Sequence, residues 1–238
     1  MKTLAGWNLG LVVYFAATCA AADVVVDTDG DLLPDAWELQ HGLNPGNPSD
    51  ADQDVDNDRL TARDEYLAGT EPSAATLASA MSDRQLLDLF QGKAFVYFWE
   101  QSRPPYFLTP DSAHFDNRSS FSDNFNSIAT TGFGLLAYVV ADERGWVDHQ
   151  AAYERIRALL ARLVELQGPA YDIFNPQNPT APLSGQANRH GYLYHFVDNQ
   201  GYRLPGVEIS TVDHAFLVAG ALLAGQYYRG TEDRKSVV

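Results

Sequence analysis

Two short runs of the chain set carboxylates at alternate positions, the spacing with which a backbone can turn several oxygens toward one hard cation. In the first, Asp27, Asp29, Asp31, Asp35 and Glu38 fall at positions 1, 3, 5, 9 and 12, with Leu33 at position 7. In the second, Asp54, Asp56, Asp58 and Glu65 fall at positions 1, 3, 5 and 12, with Leu60 at 7 and Ala62 at 9. Ca²⁺ takes about six to eight oxygen ligands, and in loops of this spacing position 7 contributes its backbone carbonyl. A water is expected to serve beside Ala62. Loops of this kind usually carry glycine at position 6, where the turn favours positive φ; Leu32 and Arg59 stand there instead, at some conformational cost. The competing reading is a solvated acidic linker, but the same pattern occurs twice. The expected cofactor is therefore structural Ca²⁺, without which such closely spaced carboxylates repel and the segment loosens.

Those loops account for most of the charge of the chain. The net charge is −15, yet residues 23–75 hold 14 acids against only Arg59 and Arg63, while residues 76–238 are near balance. Nucleic acid is not an expected partner, because binding it requires a cationic face. Residues 1–22 read as a signal peptide, with Lys2, an apolar stretch from Leu9 and the small-residue site Ala20-Ala21-Ala22. A lipoprotein reading through Cys19 is disfavoured by Ala16. The expected location is secreted, periplasmic or extracellular, with no membrane span after signal cleavage. A single Cys excludes an intrachain disulfide and a Cys-based zinc site.

The remaining elements follow from local patterning. Short helical stretches are expected at Ala36–His41 and Thr61–Leu67, completing a calcium module over 23–72, and a linker over 73–81. Ser82 and Gln85 form a capping box that opens a helix ended by Pro104-Pro105. A second, apolar nearly all round, runs from Ser127 to about Asp142. A third, from Asp148 to Gly168, turns Ala152, Ile156, Leu159, Leu160 and Leu163 inward and Arg155, Arg157 and Arg162 outward. Alternation from Tyr192 to Val197, followed by Asp198-Asn199-Gln200-Gly201, predicts a β-hairpin. A last helix, from Ser210 to about Tyr228, is rich in small residues that permit close helix approach.

Five ordered motifs add a resemblance. Phe95–Glu100 (FVYFWE), Ser127–Leu135, Glu143–Trp146 (ERGW), Gly191–Asp198 (GYLYHFVD) and Glu208–Asp213 (EISTVD) resemble the bacterial glucoamylase-like domain, related to endo-β-1,2-glucanases. The acidic loops resemble bacterial thrombospondin type 3-like calcium-binding repeats. The resemblance implies a mainly α fold, the N-terminal part of an (α/α)6 toroid with a short β-hairpin over residues 82–238, beside a small EF-hand-like calcium module. Only four long helices are counted, so the toroid is expected to be represented in part.

The resemblance also implies a β-glucan or oligosaccharide substrate, β-1,2-linked, cleaved by carboxylate acid/base chemistry. Such hydrolysis needs a protonated carboxylic acid at the leaving oxygen and, in inverting enzymes, a second carboxylate to activate water. Glu208, just ahead of a helix start, is the candidate acid, and Asp213 the candidate partner. The competing readings are a loop carboxylate for Glu208 and a helix cap for Asp213. Trp99, Trp146, Tyr194 and His195 are candidate sugar contacts, since aromatic faces suit a pyranose; core packing is the alternative for the two tryptophans. Asp116, Arg118 and Asp123, in a polar loop, are further candidates for sugar hydroxyls. A non-catalytic calcium-dependent glycan-binding or adhesion protein, or an inactive fragment of the enzyme, are the alternatives.

Overall fold

The computed structural model describes residues 25–112, 124–167, 188–189 and 191–235. The expected signal peptide and the loop carrying Asp116, Arg118 and Asp123 lie outside the described residues. The acidic segment folds as two copies of one unit, offset so that Asp27 matches Asp54. Each loop leads into a short helix, α1 (Asp35–His41) and α2 (Ala62–Ala68), closed by Gly42 and Gly69 at φ 77° and 66°. That left-handed cap is where glycine escapes the Cβ penalty. The loops close alike: the Asp35 N–H donates to the Val26 carbonyl and the Ala62 N–H to the Gln53 carbonyl, each at 2.8 Å. Leu33, Ala51 and Ala62 form a small apolar core between the copies.

The module is seated directly on the helical part. The stretch expected as a linker carries one 3-10 turn, Ala78–Ala80. α2 then packs on α3 (Asp83–Gln101), with Leu67 filling the space over Gly92. The Lys93 ammonium donates to both oxygens of Asp64, at 2.7 and 2.6 Å. The Tyr66 hydroxyl donates to the Gly145 carbonyl at 3.0 Å. Leu32 and Leu67 belong to the same buried cluster as Phe95, Tyr138 and Trp146.

The described residues are mainly α, as expected. The capping box forms at Ser82 and Gln85. α4 (Ile128–Arg144), α5 (His149–Gln167) and α6 (Thr211–Lys235) follow. Small residues bring α4 and α6 into backbone contact: a Cβ on Gly132 would lie 2.5 Å from the Phe216 carbonyl oxygen, and one on Gly220 would fall on the Gly132 carbonyl. α5 departs from its expected polarity. Arg155 and Arg162 turn inward, their guanidiniums 3.7 Å from the Trp99 and 4.3 Å from the Tyr106 ring centroids. A weakly hydrated guanidinium stacks on an aromatic face while its stem is buried, so charge alone did not place these side chains outside.

The expected hairpin forms only in part. Asp198 accepts from the Gln200 and Tyr202 N–H groups and turns the chain, and Val197 bridges to Arg203. The alternating run, however, is split. β3 (Tyr192–Leu193) pairs antiparallel with β2 (Asn188–Arg189), and β4 (Phe196–Val197) with β1 (Asn126–Ser127), at the start of α4. Leu193 and Tyr194 are both buried, which breaks the period of two between the strands.

Candidate functional site

The break between β3 and β4 puts His195 at the centre of a cluster of ionisable groups. Its N–H donates to the Glu208 carbonyl at 3.0 Å, and its carbonyl accepts from the Ile128 N–H at 3.2 Å, so both neighbouring segments hold its backbone. The ring then reaches two carboxylates, with Nδ1 2.9 Å from Glu208 Oε1 and Nε2 3.2 Å from Asp213 Oδ2. Phe196 stacks on the imidazole at 3.8 Å between centroids. Ser210 caps α6 by accepting from the Asp213 N–H at 3.3 Å, which leaves the Asp213 carboxylate for the ring. Glu208 is exposed at 68%, whereas Asp213 is 19% exposed.

This arrangement sets the state of Glu208. The hydrogen bond from His195 holds its carboxyl below the usual glutamate range. A neutral imidazole donates from one nitrogen and accepts at the other; only the imidazolium donates to both carboxylates. One proton shared by the ring and Glu208 therefore distinguishes the two forms of the cluster.

Three expected sugar contacts lie elsewhere. Tyr194 is buried, with the Arg203 guanidinium 4.7 Å from its ring centroid. Trp146 is buried against Phe95, and Trp99 packs between Tyr138 and the Arg155 guanidinium. Both tryptophans line a cavity of about 390 Å³ shared with Val26, Leu32 and Pro34, whose lining includes none of His195, Glu208 and Asp213.

The acidic loops form the second cluster. In both, the residue at position 6 is left-handed, Leu32 at φ 76° and Arg59 at φ 81°, so the bulky side chains do take on the expected conformational cost. Their N–H groups each donate at 3.0 Å to the position-1 carboxylate, Asp27 or Asp54. The Leu33 and Leu60 N–H groups donate to Asp31 and Asp58, each at 2.8 Å. Asp27, Asp29 and Asp31 gather their oxygens within 4.8 Å of one another, as do Asp54, Asp56 and Asp58. Asp35 turns instead to Thr28, accepting from its N–H at 2.7 Å and its hydroxyl at 2.6 Å.

The buried carboxylates fit a hard cation. Glu38 and Glu65 are fully buried. Both oxygens of Glu38, and one each of Glu65, Asp29, Asp31 and Asp56, have no hydrogen-bond partner. Burial, then repulsion from the neighbouring acids, pushes Glu38 and Glu65 up to about 7, and Asp31 up to about 6. An all-oxygen donor set of this kind suits Ca²⁺. Sequence reading missed Asp50, a buried carboxylate from the connection between the copies that joins Asp31 and Glu38. Its spacing follows neither loop pattern.

No family model matches the chain. The chain is similar to an exo β-1,2-glucooligosaccharide sophorohydrolase (non-reducing end) from Parabacteroides distasonis, 26% identical over 192 residues, covering 76% of this chain and 22% of that protein. Among solved structures, a candidate glucoamylase from Bacteroides caccae is 27% identical, covering 62% of this chain and 32% of its own, with a TM-score of 0.49. An endo-β-1,2-glucanase from Chitinophaga pinensis, in complex with sophorotriose and glucose, is 21% identical, covering 59% and 30%, with a TM-score of 0.46. The chain thus spans less than a quarter of the curated relative's length.

Proposed function

We propose that this chain is part of a secreted glycoside hydrolase that cleaves β-1,2-linked gluco-oligosaccharides, built on part of an (α/α)6 toroid and stabilised by Ca²⁺ in its acidic module. The observation that carries the reading is His195 held between exposed Glu208 and half-buried Asp213. The activity named for the relative from Parabacteroides distasonis supports the substrate class.

In this reading Glu208 faces the glycosidic oxygen and Asp213 orients the ring. The step starts from the form in which both ring nitrogens carry protons and Glu208 is a carboxylate, the ionisation that the hydrogen bond from His195 favours. As the glycosidic C–O bond breaks, the proton passes from Nδ1 through the Glu208 carboxyl to the leaving oxygen, and the ring returns to its neutral form with Nε2–H on Asp213. Inverting hydrolysis also needs a second carboxylate to activate water on the opposite face. In the acidic module, Asp27, Asp29, Asp31 and Glu38, and then Asp54, Asp56, Asp58 and Glu65, would hold Ca²⁺. Bound there, the ion would neutralise the converging carboxylates.

Reducing-sugar release from β-1,2-, β-1,3- and β-1,4-gluco-oligosaccharides by the full-length protein tests the proposal. Cleavage confined to the β-1,2 series is the expected result. Binding without turnover, unchanged by Glu208→Gln, would instead establish a glycan-binding protein.

A further inference from the structure

Asp50 lies four residues ahead of Asp54, outside either acidic loop, yet it is 4% exposed. Burying a carboxylate is costly unless its oxygens are paired. One of them is: Oδ2 accepts from the Asn44 N–H at 2.9 Å. The other, Oδ1, has no partner, and neither do both oxygens of Glu38 and Oδ2 of Asp31. Carboxylate oxygens from Asp31, Glu38 and Asp50 lie within 4.8 Å of one another. Three buried acids thus converge on one point, with four oxygens among them unsatisfied. We infer that the first calcium site is a composite of the first repeat and the connection that follows it, with Asp50 supplying a ligand alongside Asp31 and Glu38. The inference rests on the calcium reading above and specifies how the two sites are linked.

The linkage follows from the backbone around Asp50. Its carbonyl accepts from the Gln53 N–H at 3.0 Å, and the Gln53 carbonyl in turn accepts from Ala62 at 2.8 Å, closing the second loop. The Ala51 carbonyl accepts from Arg63 at 3.0 Å, and Ala51 packs with Leu33 and Ala62 between the repeats. An ion that fixes Asp50 therefore fixes the entry to the second loop. Ordering paid for by the first ion lowers the ordering cost of the second, so the two sites fill with positive cooperativity, and by linkage each favours the other equally.

Calcium titration by calorimetry tests this with the wild-type protein, Asp50→Asn and Asp54→Asn. The wild type should take two ions cooperatively. Asp50→Asn should lose about tenfold or more in affinity at one site and lose the cooperativity, while Asp54→Asn should lose the other site. A second readout needs no variant: in ¹³C-labelled wild type, the Asp50 carboxyl resonance should move on the same calcium titration curve as that of Glu38. An Asp50→Asn isotherm identical to wild type, or an Asp50 resonance that stays still while Glu38 moves, overturns the composite site and leaves calcium binding standing. No calcium uptake by the wild type overturns the calcium reading itself.

Discussion

His195, in the break between two short strands, sets its Nδ1 2.9 Å from Glu208 Oε1. The imidazole is held from its other nitrogen by Asp213, so the exposed carboxylate is fixed by a partner that is itself fixed. The pair accounts for the lowered Glu208 carboxyl and ties its state of ionisation to one ring.

Two substitutions follow from that contact. Glu208→Gln should lower kcat of the full-length protein on β-1,2-gluco-oligosaccharides by about 10²- to 10⁴-fold, the usual contribution of a positioned proton donor, with little change in KM. His195→Asn should release Glu208, whose carboxyl then titrates at higher pH. Carboxyl ¹³C shifts followed against pH check the second outcome, and an unmoved Glu208 midpoint would show that the ring does not hold it.

Removing calcium should make stability fall as pH rises. Glu38 and Glu65 are pushed up to about 7 and Asp31 to about 6 in the folded, metal-free module. Between the ordinary carboxylate values and these, the native state binds more protons than the unfolded chain. Stability is then fully present below about pH 4 and is lost as pH rises toward 7. In chelator, the Tm should therefore be lower at pH 8 than at pH 5. Excess Ca²⁺ should reverse the difference, since the metal competes with those protons.

Loss of the module's seat should be felt in the helices. Leu67 is buried over Gly92, and Leu67→Ala removes that contact at a cost of about 2 to 5 kcal/mol. Denaturant unfolding followed at the tryptophans should show a lower midpoint. An unchanged midpoint would mean that the acidic module and the helices unfold independently.

Two glycines of α6 should respond with opposite signs to the same change. Gly220→Ala drives a methyl onto the Gly132 carbonyl and should cost about 1 to 3 kcal/mol, or a few degrees in Tm. Gly225→Ala meets open space and should raise stability by up to about 1 kcal/mol through helix propensity. Thermal unfolding of the two variants compares them directly.

What the residues settled by themselves is local. The capping box at Ser82 and Gln85, the four long helices and the repeated acid spacing each depend on groups within about one turn or one loop of each other. Glu208 and Asp213 were likewise legible as carboxylates beside a helix start. The tertiary structure decided which of these groups meet. His195 finds Glu208 thirteen residues on because the alternating run breaks into two strands with different partners. Asp50 reaches Glu38 because the connection between the repeats folds back onto the first loop. Trp146 and Tyr194 are buried, while Trp99 is half-buried under the Arg155 guanidinium, which turns inward to stack on it. In each case the deciding energy is burial and pairing across the chain, which spacing along it does not encode.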